Sequence, residues 1–243
     1  MANPTAAMLV IGDEILSGRT RDSNSGFLAG ELTRHGINLR EIRVIADDTA
    51  AIVAAVRALS AAHDHLFTSG GIGPTHDDIT ADAVAEALNV RLAVRDDARA
   101  ILAAHYAKSG TELNPARLRM ARIPDGAALI ENPVTAAPGF TIGNVHVMAG
   151  VPSVFEAMVA SVLPLIAGGE PLLSQSWRIL RGEGEVAAPL AAIAADYPDL
   201  SIGSYPFHQS GAHGTNIVMR GTDPGLLNAA MTRLARQFPD GRQ

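Results

Sequence analysis

Apolar and polar positions follow two alternating rhythms along the first two-thirds of the chain. Ala7–Ile11 is a short apolar run that stops at Gly12, as a buried strand does. In Ser23–Arg34, Phe27, Leu28 and Leu32 fall on one helical face, and Gly36 closes the segment. Ile37–Ile45 reads as a strand. Thr49–Ala62 reads as a helix whose stripe is Ile52, Val53, Val56 and Leu59. Asp64–Ser69 is a strand that runs into Gly70, Gly71 and Gly73, and Thr80–Leu88 is a short helix. Asp96–Ser109 and Pro115–Ile123 carry helical spacing, with Asn114 as a cap and Pro115 in the first turn. Glu131–Pro138 reads as a loop, Phe140–Ile142 and Val145–Met148 as a hairpin around Gly143-Asn144, and Ser153–Ile166 as the next helix. This alternation predicts a largely parallel sheet covered on both faces.

Gly168, Gly169 and Pro171 interrupt the pattern and predict a linker, so the domains are expected at 1–168 and 169–243. Beyond it, Trp177–Leu180 reads as a strand and Val186–Asp196 as a helix. Leu200–Tyr205 and Asn216–Arg220 read as strands, and Pro224–Phe238 as a helix. The β-α-β-β-α order makes a small α/β domain of ~70 residues. His208 and His213 are expected in a solvent-exposed, Gly-rich loop of that domain.

Composition narrows the chemistry. The 243 residues are 47% hydrophobic but only 4% aromatic, so the core must be mostly Ala, Val, Leu and Ile. The apolar run Met158–Ala167 is too short to span a membrane and is broken by Pro164. Met1–Ala7 shows no secretory signal. The absence of cysteine excludes disulfides, thiolate catalysis and Cys-ligated zinc, and a cytoplasmic location is expected. Net charge is −6, and every basic residue but Lys108 is Arg. No basic patch marks a nucleic-acid partner; scattered Arg suits a small anionic ligand. Of Arg117, Arg119 and Arg122 one could reach a phosphate, but the three read rather as a solvated helix face.

The central signal is the segment Thr68–Thr80, entered by a strand and left by a helix. Its glycines allow close backbone approach, and the free N–H groups at the helix start favour an anion. No Gly-Lys-Ser/Thr follows and no Gly-x-Gly-x-x-Gly is present, which excludes a P-loop and a Rossmann fingerprint. Asp77 and Asp78 would repel a phosphate unless a divalent cation bridged them, so one of them is expected to hold such an ion with the ligand's phosphates. The alternative is an ordinary βα turn with Asp78 or Thr80 as cap. A second acidic segment, Gly12–Gly18, follows the first strand. Ligands gather at strand carboxyl ends, so Asp13 and Glu14 can converge on the same crevice, Glu14 as a base, or simply cap local turns. Gly150–Ser153 opens a helix and could offer N–H groups to a second phosphate, or be plain helix-start chemistry. His76 is a possible phosphate donor within the glycine loop. His63 and His65 should point to opposite faces, and Asp47-Asp48 reads as a helix cap.

Gly12-Asp13-Glu14 with Gly70-Gly71-x-Gly73-Pro74-Thr75-x-Asp77-Asp78-x-Thr80 resembles the molybdopterin-binding domain superfamily. The chain is similar to the N-terminal domain of competence/damage-inducible protein A and to the molybdopterin-binding-like domain of eukaryotic FAD synthase. Asn132-Pro133-Val134, Ala137-Pro138-Gly139 and Gly150-Val151-Pro152 add to the likeness. Asn114–Pro124 and Ile202–Pro206 match the FAD synthase branch. The resemblance implies a three-layer α/β sandwich with a mostly parallel central sheet and a small C-terminal α/β domain. It implies a divalent cation (Mg²⁺, Mn²⁺ or Co²⁺) on Asp13, Asp77 and Asp78, and catalytic roles for Asp13, Glu14 and Asp78. Gly70, Gly71, Gly73, Thr75, Thr80, Gly150 and Ser153 would hold the phosphate of a pterin or dinucleotide.

The activity implied is metal-dependent pyrophosphate hydrolysis of a dinucleotide such as ADP-ribose or FAD. The alternatives are a non-catalytic molybdopterin carrier and, third, adenylyl transfer, for which nothing in the sequence specifies an ATP site. A homodimer is expected, as for most such folds. Two departures bear on specificity: Thr135-Ala136 stands where competence-type proteins usually have a glycine, and Ala149 where many relatives have proline. With the sequence closing at Gln243, neither an amidase nor an adenylyltransferase module is expected.

Overall fold

Seven consecutive residues of β1 (Thr5–Ile11) are buried or nearly so, and they alternate between two cores. Ala7, Leu9 and Ile11 enter one, and Ala6, Met8 and Val10 the other. A strand buried on both faces belongs to the interior of a parallel sheet. The computed structural model describes residues 3–209 and 211–242, so Met1 and Ala2 of the N-terminal segment read above lie outside the described residues. The chain divides into two compact units, Met1–Gly169 and Glu170–Gln243.

In the first unit, β1 leads to α1 (Asp13–Leu16), α2 (Asn24–Arg34), β2 (Asn38–Ile45), α3 (Thr49–Ala62), β3 (His65–Ser69) and α4 (Thr80–Ala87). β4 (Leu92–Val94), α5 (Asp96–Lys108), α6 (Pro115–Leu118), β5 (Arg122–Pro124), β6 (Ala128–Ile130), β7 (Gly139–Ile142), β8 (Val145–Met148) and α7 (Pro152–Val162) follow. The main sheet has the order β2-β1-β3-β8-β7-β6. β2, β1, β3 and β8 are parallel, and the β7–β8 hairpin supplies the antiparallel turn. One core packs residues of α3, α4 and α5 against the sheet, and the other packs α2 and α7. This is the expected α/β sandwich with helices on both sides.

Two predicted helices end early. Pro115–Ile123 breaks into α6, a 3₁₀ turn and the strand β5, which pairs with β4. The residue before Pro124 is biased to an extended backbone. α7 stops at Val162 and tightens into a 3₁₀ turn, because Pro164 lacks the N–H that would continue it. The short elements α1, β4 and β6 carry too few residues to show a period.

A buried imidazole lies between β3 and the β7–β8 hairpin. His146 is 1% exposed; its ring contacts Phe67 and reaches His65 at 3.3 Å and the Thr141 hydroxyl at 3.0 Å. Burial, helped by the neighbouring His65, pushes the His146 imidazole down to about 4 from 6.5. Burial also lowers His65. The unfolded chain therefore takes up protons that the folded chain refuses, and stability falls as pH drops from about 6.5 towards 4. Between about pH 7.5 and pH 5 the His146 share of that loss is on the order of 2 kcal/mol. Urea unfolding at the two pH values measures it, and His146→Gln should reduce the difference.

In the second unit, β9 (Leu173–Ile179), α8 (Glu183–Asp196), β10 (Ser201–Gln209), β11 (Ala212–Gly221) and α9 (Pro224–Gln237) follow in order. The antiparallel sheet runs β10-β11-β9, and Ile179, Ile217 and Met219 pack against α8 and α9. Both hairpin strands are longer than the sequence suggests. His208 and His213 face each other on paired strands, exposed, and not in a loop. Pro206 reads as a break but is tolerated because β10 is an edge strand.

Candidate functional site

The parallel strands β1, β3 and β8 end on the same side of the sheet, and the segments that follow them build one cleft of about 470 Å³. Glu14, Gly70–Gly73, Asp78, Asn132 and Gly150 are among its lining residues. Gly70 and Gly71 take φ values of 108° and 69°, where side chains are strained. A Cβ on Gly70 would stand 2.2 Å from the Ile11 carbonyl oxygen, and one on Gly71 2.1 Å from Thr80 Oγ1. The loop is thus pressed onto β1 and onto α4.

Hydrogen bonds fix its shape. Gly70 N–H donates to Met148 O, and Thr80 N–H to Gly71 O. Thr80, fully buried, donates its hydroxyl to Gly70 O at 3.0 Å. It therefore shapes the loop from behind and does not line the cleft. Thr75 donates both its N–H (2.7 Å) and its hydroxyl (2.5 Å) to Asp78 Oδ2. Among the described residues, no partner is found for the N–H groups of Gly71, Ile72 and Gly73. The same holds for Gly150, Val151 and Ser153 at the start of α7, whose N-terminus has no side-chain cap. Main-chain donors left open at a cleft wall need an acceptor from outside the chain.

One side chain ties the two donor segments together. Asn24 is 6% exposed, and its Nδ2 donates at 2.8 Å to both Ser69 Oγ and Gly150 O. A Cβ on Gly150 would lie 3.2 Å from Gly70 Cα, so the segments are in van der Waals contact. Asn132 organises the opposite rim: its Nδ2 donates to Thr135 Oγ1 and Ala137 O, and its Oδ1 accepts from the N–H groups of Val134 and Thr135. In that loop Ala136 sits at φ 62°. The glycine-type conformation is kept although the glycine is not. Ala136→Gly should therefore raise stability by about 1 kcal/mol, the left-handed cost less the entropy of the more flexible residue. Thermal unfolding would show it as a rise of roughly 2–4 °C.

The acidic residues divide into two groups. Glu14 and Asp78 line the cleft. Asp13 and Asp77 are exposed and are not part of the cleft wall; they lie around Asp47. Asp47 accepts the Asp13 N–H at 2.9 Å. Burial pushes its carboxyl up, the Asp13 N–H pulls it back, and the charges of Asp13, Glu14 and Asp77 push it up further. Asp48 is the helix cap, accepting from Ala51 N–H. The capping role read for the pair thus belongs to Asp48 alone. His76 points to solvent beside Asp77, and Ser153 is exposed and outside the cleft wall. Among the described residues, no three His, Asp or Glu side chains stand close enough to hold a metal ion.

Arg119 packs against the glycine loop and not on the solvated face its spacing favoured. Its Nη2 donates to Asp78 O at 3.2 Å, and its Nε is buried without a hydrogen-bond partner. Arg122 pairs with Asp82, and Arg117 packs over Tyr106. Neither Asn24 nor Asp47 could be singled out by motif, since each acts only through contacts distant in sequence.

A larger cavity of about 790 Å³ lies beside His65, His146 and Leu165. It opens at the amino ends of β3 and β8, away from the strand ends where α/β sheets gather ligands. No glycine loop lines it.

Comparison with known proteins identifies the family. Residues 171–243 match the family described as "FAD synthase, middle domain". A curated relative from Thermococcus kodakarensis, protein TK1472, is 37% identical, covering 83% of this chain and 85% of its own. "Probable FAD synthase" from Caenorhabditis elegans is 32% identical over 95% of this chain, which spans about half (49%) of that relative. The crystal structure of the protein CinA, of unknown function, from Thermoplasma acidophilum is 36% identical with a TM-score of 0.62, covering 67% of this chain and 99% of the other. Among the described residues no helix is long and apolar enough to cross a membrane. Residues 7–168, which contain the whole cleft, match the family described as "Probable molybdopterin binding domain", and the chain belongs to that family.

Proposed function

We propose that the cleft is the active site of a divalent-metal-dependent pyrophosphatase acting on a dinucleotide such as ADP-ribose or FAD. The observation that carries this reading is the facing arrangement of open main-chain donors and two carboxylates, Glu14 and Asp78, in one cleft. A diphosphate needs both donors for its oxygens and relief from the carboxylates' negative charge. A preformed three-carboxylate centre is absent among the described residues. The oxygen donors instead fit a Mg²⁺-type ion, which is commonly held by one or two carboxylates with substrate phosphates completing its shell. Asp78 would hold it, which leaves the Glu14 carboxylate for proton transfer. Such an ion supplies charge neutralisation of the diphosphate and acidification of a water.

The chain's own groups do the rest. Gly71–Gly73 N–H groups and the start of α7 orient the two phosphates and steady charge on the departing one. Arg119, beside the loop, adds a fixed positive charge. Glu14, on the cleft wall, would accept a proton from a water in the cleft. Asn24 keeps the two donor segments at a constant separation.

The absence of a closed carboxylate centre favours a second reading, in which the cleft holds a pterin phosphate such as molybdopterin without turnover. One experiment separates the two. Purified protein is incubated with ADP-ribose and FAD in the presence of Mg²⁺, Mn²⁺ or Co²⁺, and products are resolved chromatographically. Mononucleotide release that requires metal supports the pyrophosphatase. Tight binding with intact ligand under every metal supports the carrier and removes the enzyme.

A further inference from the structure

Both acids of the cleft wall, Glu14 and Asp78, rest on a glycine of their own segment. A Cβ on Gly12 would stand 2.8 Å from each Glu14 carboxylate oxygen and 2.9 Å from Cδ. A Cβ on Gly73 would stand 2.6 and 2.9 Å from the Asp78 oxygens and 3.0 Å from Cγ. These separations fall well inside the ~3.5–4.0 Å of an unstrained contact. At no other glycine among the described residues do a carboxyl carbon and both its oxygens crowd the Cβ position.

Backbone conformation does not demand glycine at either position. Gly12 has φ 163° and ψ 120°, extended backbone that any residue adopts. Gly73, unlike Gly70 and Gly71, lies outside the left-handed region. The obstacles to a side chain also differ. At Gly70 a main-chain carbonyl stands in the way, and at Gly71 the buried Thr80. At Gly12 and Gly73 it is the free end of a side chain from the cleft wall. Asp78 is gripped a second time by Thr75, whose N–H and hydroxyl both bond Oδ2. The carboxylate has no room to keep those bonds and clear a methyl group on Gly73.

We propose that Gly12 and Gly73 are positioning residues. The bare backbone at each is a seat that sets where the Glu14 and Asp78 carboxylates stand in the cleft. The inference rests on the pyrophosphatase reading, in which Asp78 holds the cation and Glu14 takes the proton. A methyl group on either seat would push its carboxylate away by about 1 Å. Misplacement of that size costs a reaction about 100-fold. The main chain is spared, because a free side-chain end yields before a strand end or a braced loop does. Alanine also keeps the N–H at position 73, so the open donors of Gly71–Gly73 are not reduced in number.

Crystal structures of full-length Gly12→Ala and Gly73→Ala, with kcat/KM on ADP-ribose and Mn²⁺, test the seats. In Gly73→Ala the Asp78 carboxylate should shift by about 1 Å and lose its Thr75 bonds while the main chain of Thr68–Thr80 stays in place. Gly12→Ala should displace Glu14 in the same way. Each variant should lose about 100-fold in kcat/KM, with Tm within roughly 4 °C of the parent. A residue that acts through another adds nothing once that other is disabled. Gly73→Ala placed on Asp78→Asn, and Gly12→Ala on Glu14→Gln, should therefore cost less than about twofold more. A purely structural role would multiply the two losses in full, and that result overturns the proposal. Carboxylates unmoved in the alanine variants overturn it too, as does loss of the fold, since the strain would then have entered the main chain. If the parent protein hydrolyses neither ADP-ribose nor FAD, the pyrophosphatase reading falls and the crystal structures alone judge the seats. Shifted carboxylates on an unmoved main chain uphold them, and unshifted ones overturn them.

Discussion

Asp78→Asn is expected to lower metal-dependent ADP-ribose hydrolysis by about 100-fold or more while leaving the fold in place. Asp78 lines the cleft, and its Oδ2 accepts two hydrogen bonds from Thr75. An Asn side chain keeps an acceptor oxygen for Thr75, and the Arg119 contact is to the Asp78 main chain, which does not change. What is lost is one negative charge facing the open N–H groups of Gly71–Gly73. The loop should therefore survive while the cation loses a ligand. Measuring kcat/KM with Mn²⁺ alongside the thermal midpoint tests both halves. Activity within about threefold of the parent would remove Asp78 from the chemistry.

Gly70→Ala should destabilise the first unit by about 3 kcal/mol or more. Its φ of 108° is strained for any side chain, and the added carbon would lie 2.2 Å from the Ile11 carbonyl oxygen. That oxygen belongs to the end of β1, a central strand, and cannot rotate away as a flexible side chain could. In a domain of this size the loss corresponds to a fall of roughly 6–12 °C in Tm. Gly18→Ala is the matched control. Gly18 also has positive φ (72°), but nothing lies within 4 Å of its Cβ position. It should lose only about 1 kcal/mol, the conformational part. Equal melting of the two variants would mean that the loop does not press on β1.

Much of this architecture is legible in the amino-acid order. β1 stands out as an unbroken apolar run because both its faces are buried, and the helix Thr49–Ala62 shows its period because Ile52, Val53, Val56 and Leu59 share the core. Elements of three or four residues, such as β4, β6 and α1, are too short for any period. Their pairing comes from neighbours distant in the chain. At the site, the glycine loop stands out because positive φ and close approach leave only glycine at Gly70 and Gly71. Thr80 reads equally well as a ligand group or a local brace, and the buried hydroxyl bond to Gly70 O makes it the brace. Asp47 sits beside a true cap, Asp48, and only the fold turns it towards Asp13. Asn24 and Arg119 have no motif at all. Asn24 matters through two contacts and Arg119 through one, all made across many residues of sequence.

The central claim is that a diphosphate sits on the open amides between β3 and α4 with a cation at Asp78. Diffraction from crystals soaked with ADP-ribose and Mn²⁺, recorded at the manganese absorption edge, addresses it directly. The account predicts an anomalous peak beside Asp78 and phosphate density over Gly71–Gly73. Ordered ligand in the cavity beside His146, with no manganese near Asp78, would contradict it.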